Sequence, residues 1–209
     1  MATEGTLGQD FLWTFFRVAC GFAIGAWMGT VVGRMTGTNL WISNLLDPLL
    51  QIFRPIPAIA LVPLAIVWFG VGELSKLCII VWACFFPVWI NTHAGIRRVP
   101  KEIVWTAQVL GATKERIQRY VVSNWAKPEM IDGVRIGLGL SFAAAVVAEM
   151  QGASVGLGYR IIETHFAFRF DRMIASTLLV GVFGFAADKL FTSVIRWRFP
   201  WFEFKSLTH

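Results

Sequence analysis

The feature that most constrains this chain is its series of apolar runs, which cover residues 11–33, 56–72, 74–96, 133–152 and 173–195. A membrane-spanning helix needs about 20 residues, each rising ~1.5 Å, to cross about 30 Å of hydrocarbon. All but the second run meet that length comfortably. Composition closes off the soluble alternatives. Of 209 residues, 56% are hydrophobic and 15% charged, where a soluble domain carries roughly 25% charged residues. One core cannot bury this much apolar surface and still leave a charged exterior. The predicted fold class is all-α, a polytopic transmembrane helix bundle. It forms a single domain over residues 1–209, with a core at 10–196, a long loop at 97–132 and a tail at 197–209.

The second run is short and contains Pro57 and Pro63, with Pro55 just before it. Each proline removes a donor and clashes with the preceding turn. Broken backbone at membrane depth survives only where protein or a water-filled path covers it. Two readings therefore stand side by side: a pathway wall, or a plain kinked helix. The first run carries Gly21, Gly25, Gly29 and Gly33, spacing that lets another helix approach closely along one face. Gly133, Gly137 and Gly139 repeat the signal weakly.

Basic residues set the orientation. Fourteen, including Arg34, Arg54, Arg97, Arg98, Lys114, Arg135, Arg196 and Lys205, fall on one side of the predicted spans. Five (Arg17, Lys76, Arg160, Arg169 and Arg172) fall on the other. The positive-inside rule puts the larger group and the C-terminus in the cytoplasm, with the aromatic stretch at 196–204 as an interfacial anchor. The first ten residues show no basic n-region, so no cleavable signal peptide is expected. The bases flank apolar runs and form no single soluble face, so nucleic acid is not an expected partner. Membrane lipid is.

Chemistry-bearing patterns are absent. There is no G-x-x-x-x-G-K-[ST], and His93, His165 and His209 lack metal-ligand spacing with each other or with Cys20, Cys78 and Cys84. His93 beside Ser75 or Ser141 is the one conceivable hydrolase pair, with no local support. No cofactor is expected in this chain, and it is read as non-enzymatic. Ionisable residues inside spans are functional candidates by default. Glu149 divides evenly between function and helix packing. Asp188 is expected to pair with a base on a neighbouring helix, Lys189 to snorkel, and Arg17 to snorkel or pair.

The 97–132 loop reads as helix, break, helix. Ile103, Ala107 and Leu110 recur at helical spacing, Gly111 interrupts, and Thr113 can cap a new turn running into Lys114, Glu115 and Arg116. Ile117, Tyr120 and Val121 form the next apolar stripe. The pair is either a helix lying on headgroups or a docking element for a soluble partner.

This loop resembles the EAA loop of ABC-importer permeases, whose pattern is E-A-A, three residues, Gly, nine residues, then I-x-L-P. Ala107 takes the second Ala place, Leu110-Gly111-Ala112 the Gly place and Val121 the Ile place. Trp105 stands where the Glu belongs, Thr106 replaces the first Ala, and Ser123-Asn124 replace Leu-Pro. Pro128, Gly133, Arg135, Gly137, Leu138 and Gly139 recover the run that follows. Residues 47–76, 85–97, 148–150 and 156–159 are similar to permeases of the nitrate, sulfonate and taurine type. Members usually have six spans, and this chain starts where their second does.

The resemblance implies a bacterial inner-membrane permease subunit that works with a second permease subunit, as a homodimer. Two cytoplasmic P-loop ATPases would bind the ATP and Mg, and an extracytoplasmic protein would deliver a small anion or organosulfonate. Glu102, Trp105, Ala107, Leu110, Gly111, Ala112, Thr113 and Arg116 would couple to the ATPase, with Glu102 or Trp105 replacing the missing Glu. Pro63, Trp68, Asn91, Glu149 and Gln151 are the candidate pathway residues. The alternatives are a non-transporting structural or assembly subunit, and a small channel, for which the spans offer few polar linings.

Overall fold

A computed structural model of the chain describes residues 4–199. The tail beyond Phe199, with its aromatic anchor, Lys205 and His209, lies outside the described residues, as does the start of the N-terminal segment. The elements are α1 (Glu4–Thr38), α2 (Leu40–Phe53), α3 (Val62–Phe69), α4 (Glu73–Arg97), α5 (Lys101–Val109), α6 (Lys114–Arg116), α7 (Ser123–Gly152), α8 (Leu157–Phe166) and α9 (Phe170–Arg198). A 3₁₀ turn at Ala58–Leu61 precedes α3, and a π-helical stretch at Ile117–Val122 joins α6 to α7. No strand occurs among the described residues.

Among the described residues, four helices are long and apolar enough to cross a membrane: Gly8–Thr38, Glu73–Arg97, Lys114–Gly152 and Phe170–Arg198. A fifth crossing exists if Leu40–Phe53 and Ala58–Phe69, bent by 85°, count as one broken span. The count of five expected from sequence is reached only in this way. The second run is a 3₁₀ turn and an eight-residue helix, not a straight span. Its other half, α2, was not expected. Asn39 starts α2 by accepting from the backbone N–H groups of Trp41 and Ile42, a side-chain cap for donors that the first turn leaves unpaired.

The fourth run is the C-terminal part of a longer helix. It continues from the loop through the π stretch without a separate second loop helix. That π turn shifts the register, so Ile117 and Val122 are buried while Tyr120, placed on the apolar stripe by α-helical spacing, is 61% exposed.

α4 lies between α1 and α7. A Cβ at Gly29 would stand 2.7 Å from the Phe85 carbonyl oxygen, and Gly21, Gly25, Gly33 and Gly37 meet α4 equally closely. The glycine face of α1 is thus a seam against α4, as its spacing indicated. Gly133 and Gly137 close on the other side of α4, at Asn91 and Cys84, whereas Gly139 meets nothing within 4 Å and drops out of the predicted set. The core (Val18, Val62, Ala65, Ile79, Ile80, Phe142, Ala144, Ala145 and Ala148) joins α1, α3, α4 and α7. α9 buries only Ser176. It is tied to α7 by the expected partner for Asp188, the Arg135 guanidinium, through bonds of 2.6 and 2.7 Å.

One basic residue is misplaced by the orientation count. Arg54 was grouped with the Arg97 end of the bundle. Its neighbour Ile56 accepts a hydrogen bond from the indole N–H of Trp82 at 3.2 Å, partway along α4. The cause is α2, which carries the chain away from the Arg97 end before the prolines break it.

Candidate functional site

Two places carry the candidate residues: the loop at the Arg97 end and a charged cluster at the Glu73 end. In the loop, Leu110 caps α5, and Gly111 follows with φ +79°. The Gly111 N–H donates to the Gln108 carbonyl at 2.9 Å and the Ala112 N–H to the Ala107 carbonyl at 3.0 Å. This pair of bonds is a Schellman stop, which needs a left-handed residue where a side chain would strain the backbone. The Thr113 hydroxyl then accepts from the Arg116 N–H, the cap expected from sequence. Gly111 and Thr113 thus fix the angle between α5 and the long helix.

The apolar residues of the loop divide between two faces. Val104, Ala107 and Ala112 pack against Ile96, Ile117, Val122 and Ala126 and hold the loop to the bundle. Trp105, Val109 and Leu110 are 57%, 88% and 81% exposed. The single stripe of Ile103, Ala107 and Leu110 is therefore corrected: Ala107 faces inward and Leu110 outward, because α5 ends at Val109 and Leu110 is its cap, beyond the last helical residue. Glu102, Lys114 and Arg116 flank this knob as exposed charges. Val109 was not among the residues singled out, although it is the most exposed apolar side chain of the loop.

At the opposite end, Arg17 is almost fully buried and bridges two carboxylates. Its Nε donates to Glu73 at 2.6 Å, and its Nη1 donates to Glu149 and to the Val155 carbonyl, both at 2.8 Å. Glu149 is wholly buried and also accepts from the Thr14 hydroxyl and the Gly158 N–H at 2.9 Å. Asp10 accepts from the Gly156 N–H and from Arg160, and this bond holds the Arg160 guanidinium above its ordinary pKa. Gly156 sits at φ +136°, and its would-be Cβ would fall on the Glu149 carboxylate. The cluster locks α1, α4, α7 and α8 together and gives each carboxylate oxygen of Asp10, Glu73 and Glu149 a partner. Of its members, sequence reasoning singled out Arg17 and Glu149. Asp10, Thr14, Glu73 and Arg160 carried no local pattern.

The remaining pathway candidates are spread out. Pro63 and Trp68 are exposed on α3. Asn91 bonds its own helix at the Pro87 carbonyl. Gln151 borders an open cavity of about 780 Å³ with Glu73, Lys76 and Tyr159 at the Glu73 end of the bundle. His93 lies beside the Thr36 hydroxyl and near Asp47, while the Ser141 hydroxyl donates to its own Gly137 carbonyl. No Ser–His pair forms with Ser75 or Ser141.

A bundle of broken and unbroken apolar helices, with a bare apolar knob at one end and a paired charge cluster at the other, has the make-up of a membrane-embedded subunit. The profile of the family "Binding-protein-dependent transport system inner membrane component" matches residues 21–198, and the chain belongs to that family. A putative aliphatic sulfonates transport permease of Bacillus subtilis is 34% identical over 88% of this chain and 68% of its own. The taurine transport system permease of Escherichia coli is 30% identical over 95% and 72%. Among solved structures, a chain of the inward-facing MetNI methionine ABC transporter superposes with a TM-score of 0.73 at 19% identity, covering 93% of this chain and 99% of that one. The chain is therefore the permease subunit of an ABC importer and is not catalytic itself, since ATP hydrolysis falls to a separate subunit.

Proposed function

We propose that two copies of this chain form the path by which an ATP-driven importer moves a small anion, an organosulfonate first, into the bacterial cytoplasm. An extracytoplasmic binding protein delivers the anion at the Glu73 end. Two P-loop ATPases carry the ATP and Mg and seat the α5 knobs, and the C-terminus is cytoplasmic. The observation that carries this reading is the exposed Trp105, Val109 and Leu110 on a helix whose angle is fixed by Gly111 and Thr113. An apolar anchor on a rigid turn is what a soluble partner's groove can grip. Loop and α7 share the Ile117–Val122–Ala126 cluster, so movement of the ATPase passes directly into a spanning helix. Pro63, Trp68, Asn91 and Gln151 border the path, while Glu149 holds its outer end together. The sulfonate class is supported by the two relatives named for aliphatic sulfonates and taurine.

The test is reconstitution with the companion ATPase and binding protein in proteoliposomes, with labelled taurine, an alkanesulfonate and nitrate offered in turn. ATP-dependent uptake of a sulfonate is expected. Leu110→Asp is expected to lower ATPase co-purification at least tenfold while the chain still purifies as a folded protein. Full retention of the ATPase by that variant overturns the docking role. Uptake of nitrate alone overturns the sulfonate class.

A further inference from the structure

We infer that Arg54 is an anion-binding group inside the translocation path. The assignment rests on the anion reading above and gives it a site.

The chain breaks at Arg54. α2 stops at Phe53, and Pro55 and Pro57 follow before the 3₁₀ turn at Ala58. Pro55 offers no N–H to the Gln51 carbonyl, so helical bonding cannot continue. Trp82 fixes the depth of the break: its indole N–H bonds Ile56, and its ring meets Phe53 edge-on with centroids 6.3 Å apart. Along α4, Trp82 lies about 14 Å from Glu73 and about 22 Å from Arg97 at a helical rise of ~1.5 Å per residue. The break is thus near the middle of the bundle, deeper than a snorkelling side chain reaches.

Arg54 is exposed there. Among the described residues its side chain makes no hydrogen bond or ion pair. Two arginines held deeper in the bundle are matched: Arg17 to Glu73 and Glu149, Arg135 to Asp188. An unpaired cation at that depth cannot face lipid cheaply, and irregular backbone persists only against protein or water. Both conditions place the Arg54 face on a water-filled path. A guanidinium there presents a planar fork of donors, suited to the oxygens of a sulfonate or nitrate. Arg54 also sits at the C-terminal end of α2, where the helix dipole favours a cation. A role confined to that contact predicts neither water access nor protection by anions.

The experiment uses the full importer with Cys20, Cys78 and Cys84 replaced. Arg54→Cys is expected to react with a membrane-impermeant anionic thiosulfonate in the assembled complex, and millimolar taurine is expected to slow that reaction severalfold. No labelling under any nucleotide condition overturns the assignment. So does labelling at a rate that no anion of the uptake panel changes. In parallel, Arg54→Gln is expected to cut sulfonate uptake at least tenfold at wild-type ATPase co-purification, with Arg54→Lys recovering part of it. Arg54→Gln uptake within twofold of wild type, in a complex that does import the sulfonate, overturns Arg54 and leaves the substrate class standing. Wild-type import only of solutes that carry no sulfonate or other anionic group overturns the substrate class, and the anion role of Arg54 falls with it; the labelling result then says only whether the break is wet.

Discussion

Glu149 shows what a single residue does in this bundle. It is a wholly buried carboxylate on α7, satisfied by Thr14 and Arg17 of α1 and by Gly158 of α8. Removing one partner of such a set leaves an uncompensated buried charge, at a cost of about 3–5 kcal/mol. Arg17→Met, which takes the cation from the wholly buried Glu149, is therefore expected to lower the Tm of the detergent-solubilised protein sharply in a thermal unfolding scan. Adding Glu149→Gln should restore part of the loss, because the buried charge left without its cation is then gone. A single variant with the wild-type Tm would mean that the cluster contributes no stability. Sequence alone marked Glu149 as an acid inside a span and Arg17 as a candidate for pairing. Their partnership was illegible because it joins positions 132 apart in the chain, and no local period encodes such a contact.

At the level of elements, the α1–α4 seam was the most legible feature, because a four-residue glycine repeat has one physical use on an apolar helix. Gly29→Val would drive a side chain into the Phe85 carbonyl, and overpacking of this kind costs typically about 1–3 kcal/mol. Gly139→Ala meets open space and should be neutral. Comparing the yields and Tm values of the two variants checks the seam, and equal behaviour would refute it. α2 was missed for a converse reason. Ser43, Asn44, Asp47 and Pro48 lower its hydropathy and break its pattern, although Arg97 donating to the Ser43 hydroxyl ties it firmly to α4. The π stretch hid the true faces of Tyr120 and Val122, since a register shift lies outside any fixed helical period. On α5 the turn chemistry at Gly111 and Thr113 was readable residue by residue. Which side of the helix stays bare was not, because that depends on where α7 lies.

Across the whole molecule, the two ends differ in kind, one a sealed charge cluster and the other an exposed apolar knob. The proposed orientation puts the cluster outside. On a cysteine-free background, Ser154→Cys is expected to react with an impermeant maleimide added to intact spheroplasts, and Gln108→Cys only after the membrane is opened. The reverse pattern would invert the topology. The sealed cluster also bears on how the chain is made. Arg17 leaves the ribosome 56 residues before Glu73 and 132 before Glu149, and Asp10 precedes Arg160 by 150. At about 5–20 residues per second, roughly ten seconds of synthesis separate Arg17 from Glu149. Through that interval Asp10 has no Arg160, and Arg17 has Glu73 at most. The nascent protein must shelter them at the translocon or the bilayer edge, and its first span becomes fully settled only when the last third of the chain arrives.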